Sequence, residues 1–196
     1  MKVLLLHYKI LMLDPRQGQV RILRLVRKVH KIMGISLIFF ILVLSFTGIL
    51  LGWKKNSGGI ILAETVKGIS DNPSHWLSID SLLKVAQTYA IGNLKLSDPE
   101  PDRIDVRPSK GIIKVSFKNT YDGLQIDCTN GNLLLVEKRY SDLIEHFHDG
   151  SIVDTTLNIK SGSFKLFYTT LMSLSLMTFC ITGFWLYYGP KRLKRY

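Results

Sequence analysis

Two runs of the sequence carry no charge and are long enough to cross a lipid bilayer. They are Ile32–Trp53 (IMGISLIFFILVLSFTGILLGW), 22 residues, and Leu166–Tyr188 (LFYTTLMSLSLMTFCITGFWLYY), 23 residues. A helix rises about 1.5 Å per residue, so each extends roughly 33 Å, the depth of a hydrocarbon core of about 30 Å. A chain of 196 residues rarely hides two such helices in a water-soluble core. The first run also begins too late and runs too long for the apolar part of a cleaved leader. The preceding MKVLLLHYKILMLDP is interrupted by His7, Tyr8 and Lys9, and no small-x-small cleavage site follows it. Ile32–Trp53 therefore reads as a retained anchor.

The net charge of +11 would suggest a nucleic-acid partner until it is mapped. Residues 1–31 hold eight Lys or Arg against the single acid Asp14, and the tail after Pro190 adds Lys191, Arg192, Lys194 and Arg195. Residues 54–163 carry thirteen basic and fourteen acidic side chains. The excess lies at the two ends, on one side of a bilayer. By the positive-inside rule both termini face the cytoplasm and the middle segment lies outside it. The charge reports topology and anionic lipid headgroups, with no nucleic acid implied. Trp53, Trp185, Tyr187 and Tyr188 fit aromatic belts at the interfaces.

These limits divide the chain into five parts: a basic cytoplasmic segment over 1–31, spans over 32–53 and 164–188, an extracytoplasmic domain over 54–163, and a basic tail over 189–196. Of the two cysteines, Cys180 falls in the second span and Cys128 in the middle segment, so the outer domain must hold together without a disulfide.

The helical period adds detail. Over Val20–Met33, Ile22, Leu25, Val26, Val29, Ile32 and Met33 share one face, and Arg21, Arg24, Arg27, Lys28 and Lys31 share the other. That is an interfacial helix feeding the first span. His30 stands at the seam. Continuing the wheel, His30, Gly34, Leu37, Ile41, Ser45, Gly48 and Gly52 line one stripe, and Gly48–Gly52 is a GxxxG pair. Thr169, Ser173, Leu176, Cys180 and Tyr187 make a comparable stripe on the second span. Small residues let helix backbones approach closely in lipid. The expectation is that Gly34, Ser45, Gly48 and Gly52 pack against Thr169, Ser173 and Cys180, or against a third helix. The spans also echo each other through Thr47-Gly48 and Thr182-Gly183, an inverted repeat too short to prove duplication.

The middle segment reads as α+β. Ser78 or Asp80 caps a helix over Ser81–Ala90, with Leu82, Leu83, Ala86, Tyr89 and Ala90 at i, i+3, i+4 spacing and Gly92 closing it. RIDVRP, GIIKVSF, LQIDC and NLLLVEKRY follow as strands, separated by the turn sequences SKG, YDG and TNG. One helix on a small antiparallel sheet buries these faces. SDLIEHFHDG then forms a short helix or turn ended by Asp149-Gly150.

A basic stretch with His before a Gly-containing span ending in Thr-Gly (VHKIMG…LSFTGILL) resembles the PepSY-associated transmembrane proteins of bacteria. So does FHDGSIV ahead of a span ending ITGFWLYYGPKR, and so does the Asp-x-x-x-Gly turn at Asp127 and Gly131. The likeness covers the chain from about Arg27 onward. It implies a bacterial inner-membrane protein with a PepSY-like outer domain. Some larger relatives with more spans are haem-containing reductases that release iron from siderophores, and their histidines at span borders resemble His30 and His148. This chain has two spans and shows no flavin or nicotinamide signature.

The fold expected is thus a membrane protein, a two-helix transmembrane hairpin plus a small extracytoplasmic α+β, PepSY-like domain. A b-type haem needs an axial imidazole, often two. His30 and His148 fall on opposite sides of the membrane and cannot share one iron, so His30 requires His7, the His30 of a second copy or another subunit, and His148 requires His75, His146 or a partner. On a regular helix His146 and His148 point opposite ways. No HExxH, CxxC, GxSxG or Walker glycine loop is present. The acids Asp98, Glu100, Asp102 and Asp105 read as solvated loop charge, and Cys128 as a strand residue. No catalytic residue is assigned. The chain reads as a non-enzymatic accessory subunit presenting its domain to a membrane or extracytoplasmic protein, or to a second copy, with lipid around its spans. The alternative is a haem-binding electron-transfer subunit of a metal reductase, an oxidoreductase only as part of an oligomer, with His30 and His148 as ligands.

Overall fold

The structure is a computed structural model that describes residues 15–193, with side chains from Gln17 to Lys191. The chain divides into two compact units. One comprises residues up to Val43 together with those from Ser163, and the other runs from Leu44 to Gly162.

Helix α1 (Pro15–Trp53) is continuous, so the amphipathic segment and the first apolar run form one rod of 39 residues. The closing helix of the chain, Ser163–Leu193, has 31 residues and carries Pro190 in its last turn. Both are long and apolar enough to cross a membrane. Within their unit they run antiparallel. Leu23 lies against Gly189, His30 against Thr182 and Gly183, Gly34 against the Phe179 ring, and Phe40 against Tyr168. Rising position on one helix meets falling position on the other.

The covered line of the closing helix runs through Tyr168, Met172, Ser175 and Thr182, with Phe179 half-buried between them. Steps of four and three residues keep one seam facing a neighbouring helix. Ser173 and Cys180 are exposed and stand about 100° round the helix from that seam. Thr169 is half-buried and spends its hydroxyl on the Lys165 carbonyl at 2.8 Å. On α1, Gly34 is half-buried, Ser45 is exposed, and a Cβ at Gly52 would meet nothing within 4 Å. At two points of the seam a large side chain on one helix meets glycine on the other, Phe179 against Gly34 and Leu23 against Gly189.

The second unit is built on a four-stranded antiparallel meander in the order β1 (Pro101–Arg107), β2 (Ile112–Phe117), β3 (Asp122–Asp127), β4 (Leu133–Lys138). Helix α2 (Ile79–Leu94) precedes it in sequence. Its start is set by Ser78, whose hydroxyl accepts the Ser81 N–H at 3.2 Å. Its end is one turn later than Gly92 suggested, at Lys95 in the left-handed conformation.

Alternation along the strands puts Ile113, Val115, Phe117, Leu124, Ile126 and Cys128 on one face, where Leu82, Ala86 and Ala90 of α2 complete the core. The register Ile113↔Ile126 and Val115↔Leu124 aligns these pairs across the central strands. An extended segment is latched onto this frame. Gly68 N–H donates to the Lys110 carbonyl at 2.8 Å, and Ile69 N–H donates to the buried Asp127 carboxylate at 2.7 Å. Asp127 also accepts from Thr129 N–H at 2.7 Å, and Gly131 N–H donating to the Asp127 carbonyl at 2.9 Å closes the Asp-x-x-x-Gly turn. After β4 come α3 (Tyr140–Asp149), ended by Gly150 at φ 79°, and α4 (Ser151–Thr156), a helix absent from the sequence reading. The closing helix Ser163–Leu193 is α5.

Candidate functional site

A threonine inside a helix can turn its hydroxyl back onto a carbonyl of the preceding turn. Thr182 on α5 does so, donating to Thr178 O at 2.7 Å with Phe179 O at 3.2 Å. Its proton is committed, so the oxygen is left to accept. The partner is His30 Nδ1 on α1, 2.7 Å away. A neutral imidazole that completes this arrangement donates from Nδ1, and Nε2 is then the nitrogen left to accept.

The same construction recurs in the other unit. Thr47 donates to Leu44 O at 3.2 Å, and His148 Nδ1 stands 2.9 Å from its oxygen. The same arrangement again sets a threonine hydroxyl against Nδ1 and leaves Nε2 as the other ring nitrogen. Both threonines are buried and both imidazoles are partly open.

The residue after each threonine is glycine. A Cβ on Gly183 would come 3.8 Å from His30 Cε1, and one on Gly48 would come 3.6 Å from His148 Cε1. Each glycine thus leaves a methyl-sized space beside the ring carbon that adjoins Nε2. His30 is further fixed edge-on to Phe179, with ring centroids 4.9 Å apart and planes at 85°. Two histidines are thus held through the same ring nitrogen, Nδ1, each against a helix threonine.

The remaining histidines have other duties. His146 Nδ1 pairs with the Tyr121 hydroxyl at 2.8 Å, the rings meeting edge-on, and burial pushes the Tyr121 phenol up from its ordinary value. His75 Nδ1 lies 3.1 Å from Ser70 Oγ on the surface. His146 and His148 share a regular helix and go to different partners. His7 lies outside the described residues. Among the described residues no group of three or more His, Cys, Asp or Glu is placed to hold a bare metal ion. Burial, reinforced by the Asp127 charge, pushes the Cys128 thiol up to about 11. It stays protonated at neutral pH, and a thiolate nucleophile is not available there. In the acidic run, Glu100 pairs with Lys118 and Asp105 with Arg107.

Residues 27–195 match the family described as the PepSY-associated TM region. The chain belongs to that family. It is therefore a membrane protein, and the two long apolar helices are its candidate spans. No curated protein and no solved structure gives a significant match to the chain.

What sequence reasoning missed is that each Thr-Gly pair meets a histidine. Both Thr-Gly pairs and both histidines were visible, but as separate signals. Each Thr-Gly receives the histidine that lies beyond the other end of the intervening chain, His30 with Thr182 and His148 with Thr47, 152 and 101 residues apart.

Proposed function

We propose that the chain is an accessory electron-transfer subunit of a bacterial inner-membrane metal-reductase system, in which His30 and His148 each give one axial ligand to a b-type haem. The observation that carries this reading is the Nδ1···Oγ contact at both imidazoles, 2.7 Å at His30 and 2.9 Å at His148. A ligating histidine is oriented by giving its other ring proton to a fixed acceptor, which also makes the ligating nitrogen more basic. When bound, haem supplies one-electron carriage.

The residues of this chain do the holding. Thr182 and Thr47 fix the ring tautomer and plane, Gly183 and Gly48 leave the ring edge clear for a flat group, and the apolar helix surface keeps water away. Each unit offers one such imidazole among its described residues, so a second ligand would come from another copy or another subunit. That makes the chain an assembly component. The charge distribution supports cytoplasmic termini and an extracytoplasmic α+β domain available to a partner.

The test is a reduced-minus-oxidised visible spectrum of the full chain purified with its partners from haem-replete cells. The expected result is a sharp α-band that His30→Ala and His148→Ala each diminish. A colourless complex, or a band indifferent to both substitutions, overturns the haem reading and leaves a subunit that acts through protein contacts.

A further inference from the structure

The face of the sheet turned away from α2 carries chemistry that the imidazoles do not use. Alternation along β1 and β2 places Arg103, Asp105, Arg107 and Lys114 there, opposite the strand positions that fill the core. A cavity of about 460 Å³ opens on this face, bounded by β1, β2, β4, the first turns of α3, and Lys54 and Lys55. Its lining holds seven Lys or Arg against four Asp or Glu.

The pairing within it shows where the surplus lies. Lys114 and Glu137 neutralise each other at 3.0 Å, and Arg107 and Asp105 at 2.5 Å. Arg103 and Arg139 converge on a single oxygen of Asp142, so two guanidiniums share one carboxylate. Lys54 and Lys55 have no acidic partner among the described residues. Burial, with Arg103 nearby, holds the Arg139 guanidinium below its ordinary range. Lys138 pairs with Asp122, and Glu145 offsets part of the remaining charge, so a net positive surplus rests on Lys54, Lys55 and the two guanidiniums.

We propose that the cavity binds a phosphate-bearing anion, the phosphoglycerol headgroup of an anionic phospholipid. Guanidinium forks match phosphate oxygens in bidentate fashion, and flexible ammoniums add point charge at the mouth. The volume is within the range of sites that enclose small ligands, about 300–1,000 Å³. Lys54 and Lys55 follow Trp53 directly, at the end of the apolar run, where an interfacial tryptophan and lipid headgroups are found. The inference does not depend on either histidine.

Calorimetry of the full chain in phosphatidylcholine nanodiscs tests it, with dihexanoyl-phosphatidylglycerol, glycerol 1-phosphate and inorganic phosphate as separate titrants. The expected result is saturable binding of the lipid, weakened about fivefold by Arg103→Gln and by Lys55→Gln separately, and unchanged by Lys110→Gln, which lies outside the cavity. Equal binding of glycerol 1-phosphate with the same dependence on the two variants would support the phosphate site with a soluble source. Absence of binding by all three titrants overturns the proposal, as does an affinity indifferent to both cavity substitutions. Protection of the Cys128 thiol at the parent level verifies that each variant is folded.

Discussion

Substituting Gly68 probes the latch that holds the extended segment on the sheet. An added Cβ would stand 2.6 Å from Gly111 O, 3.0 Å from an Asp127 carboxylate oxygen and 3.1 Å from Ile112 Cγ2. The first of these is backbone and cannot rotate away, so Gly68→Ala must displace the segment. Two hydrogen bonds go with it, Gly68 N–H to Lys110 O and Ile69 N–H to Asp127. Leaving such groups unpaired costs about 1–3 kcal/mol each, while alanine returns about 0.4–1 kcal/mol by restricting the unfolded chain. The two bonds together cost about 2–6 kcal/mol, so the net loss is about 1–5 kcal/mol. Cys128 reports it, because its thiol is fully buried and reacts only when the domain opens. In a Cys180→Ser background, maleimide labelling of the full chain in detergent should be at least about fivefold faster for Gly68→Ala. Gly92→Ala is the matched control. It lies inside α2 with nothing within 4 Å of an added Cβ, so it should slow labelling about two- to fivefold. Equal rates for the parent and Gly68→Ala would refute the latch, and a faster rate for Gly92→Ala would refute the helix boundary.

Two further expectations use the same reporter or the same domain. Ser78→Ala removes the acceptor for Ser81 N–H at the start of α2 and should cost about 0.5–2 kcal/mol, read as faster Cys128 labelling. The Cys128 thiol is raised in the folded domain, so the protonated form stabilises the fold. That contribution is complete below the ordinary thiol value of 9.0 and is lost as pH climbs toward about 11. Urea midpoints of the domain signal should therefore fall between pH 9 and 11 in the parent, and fall less in Cys128→Ala.

The elements of the second unit were legible because each was carried by a local rule. The four strands announced themselves by alternation and by turn sequences, and α2 by its serine cap and its apolar spacing. The end of α2 was misplaced because Gly92 is a good stop only where the backbone must turn left-handed, and here Lys95 makes that turn. Helix α4 was missed because its six residues, SIVDTT, are β-branched and polar and carry no helical period.

For the long helices, apolar length identified the rods, but counting small residues did not identify the seam on α5. Tyr168, Met172 and Phe179 are large, and their contribution depends on what stands opposite them. Leu23, buried against Gly189, lies off the apolar face read from the sequence for the same reason. At the candidate site the sequence supplied all four participants and no pairing. A contact between residues 152 apart is a product of the antiparallel hairpin, and only the folded chain brings His30 to Thr182.

The claim that the two threonines set both imidazoles is tested most directly by ¹⁵N NMR of the full chain labelled at histidine nitrogen and purified without cofactor, at a pH where the rings are neutral. His30 and His148, assigned by single His→Gln variants, should each show a protonated Nδ1 and a bare Nε2. Thr182→Val should return His30 alone to a tautomer mixture, and Thr47→Val should do the same for His148 alone. A proton found on Nε2 of either ring in the parent protein, or tautomers unmoved by the valine substitutions, would contradict the account.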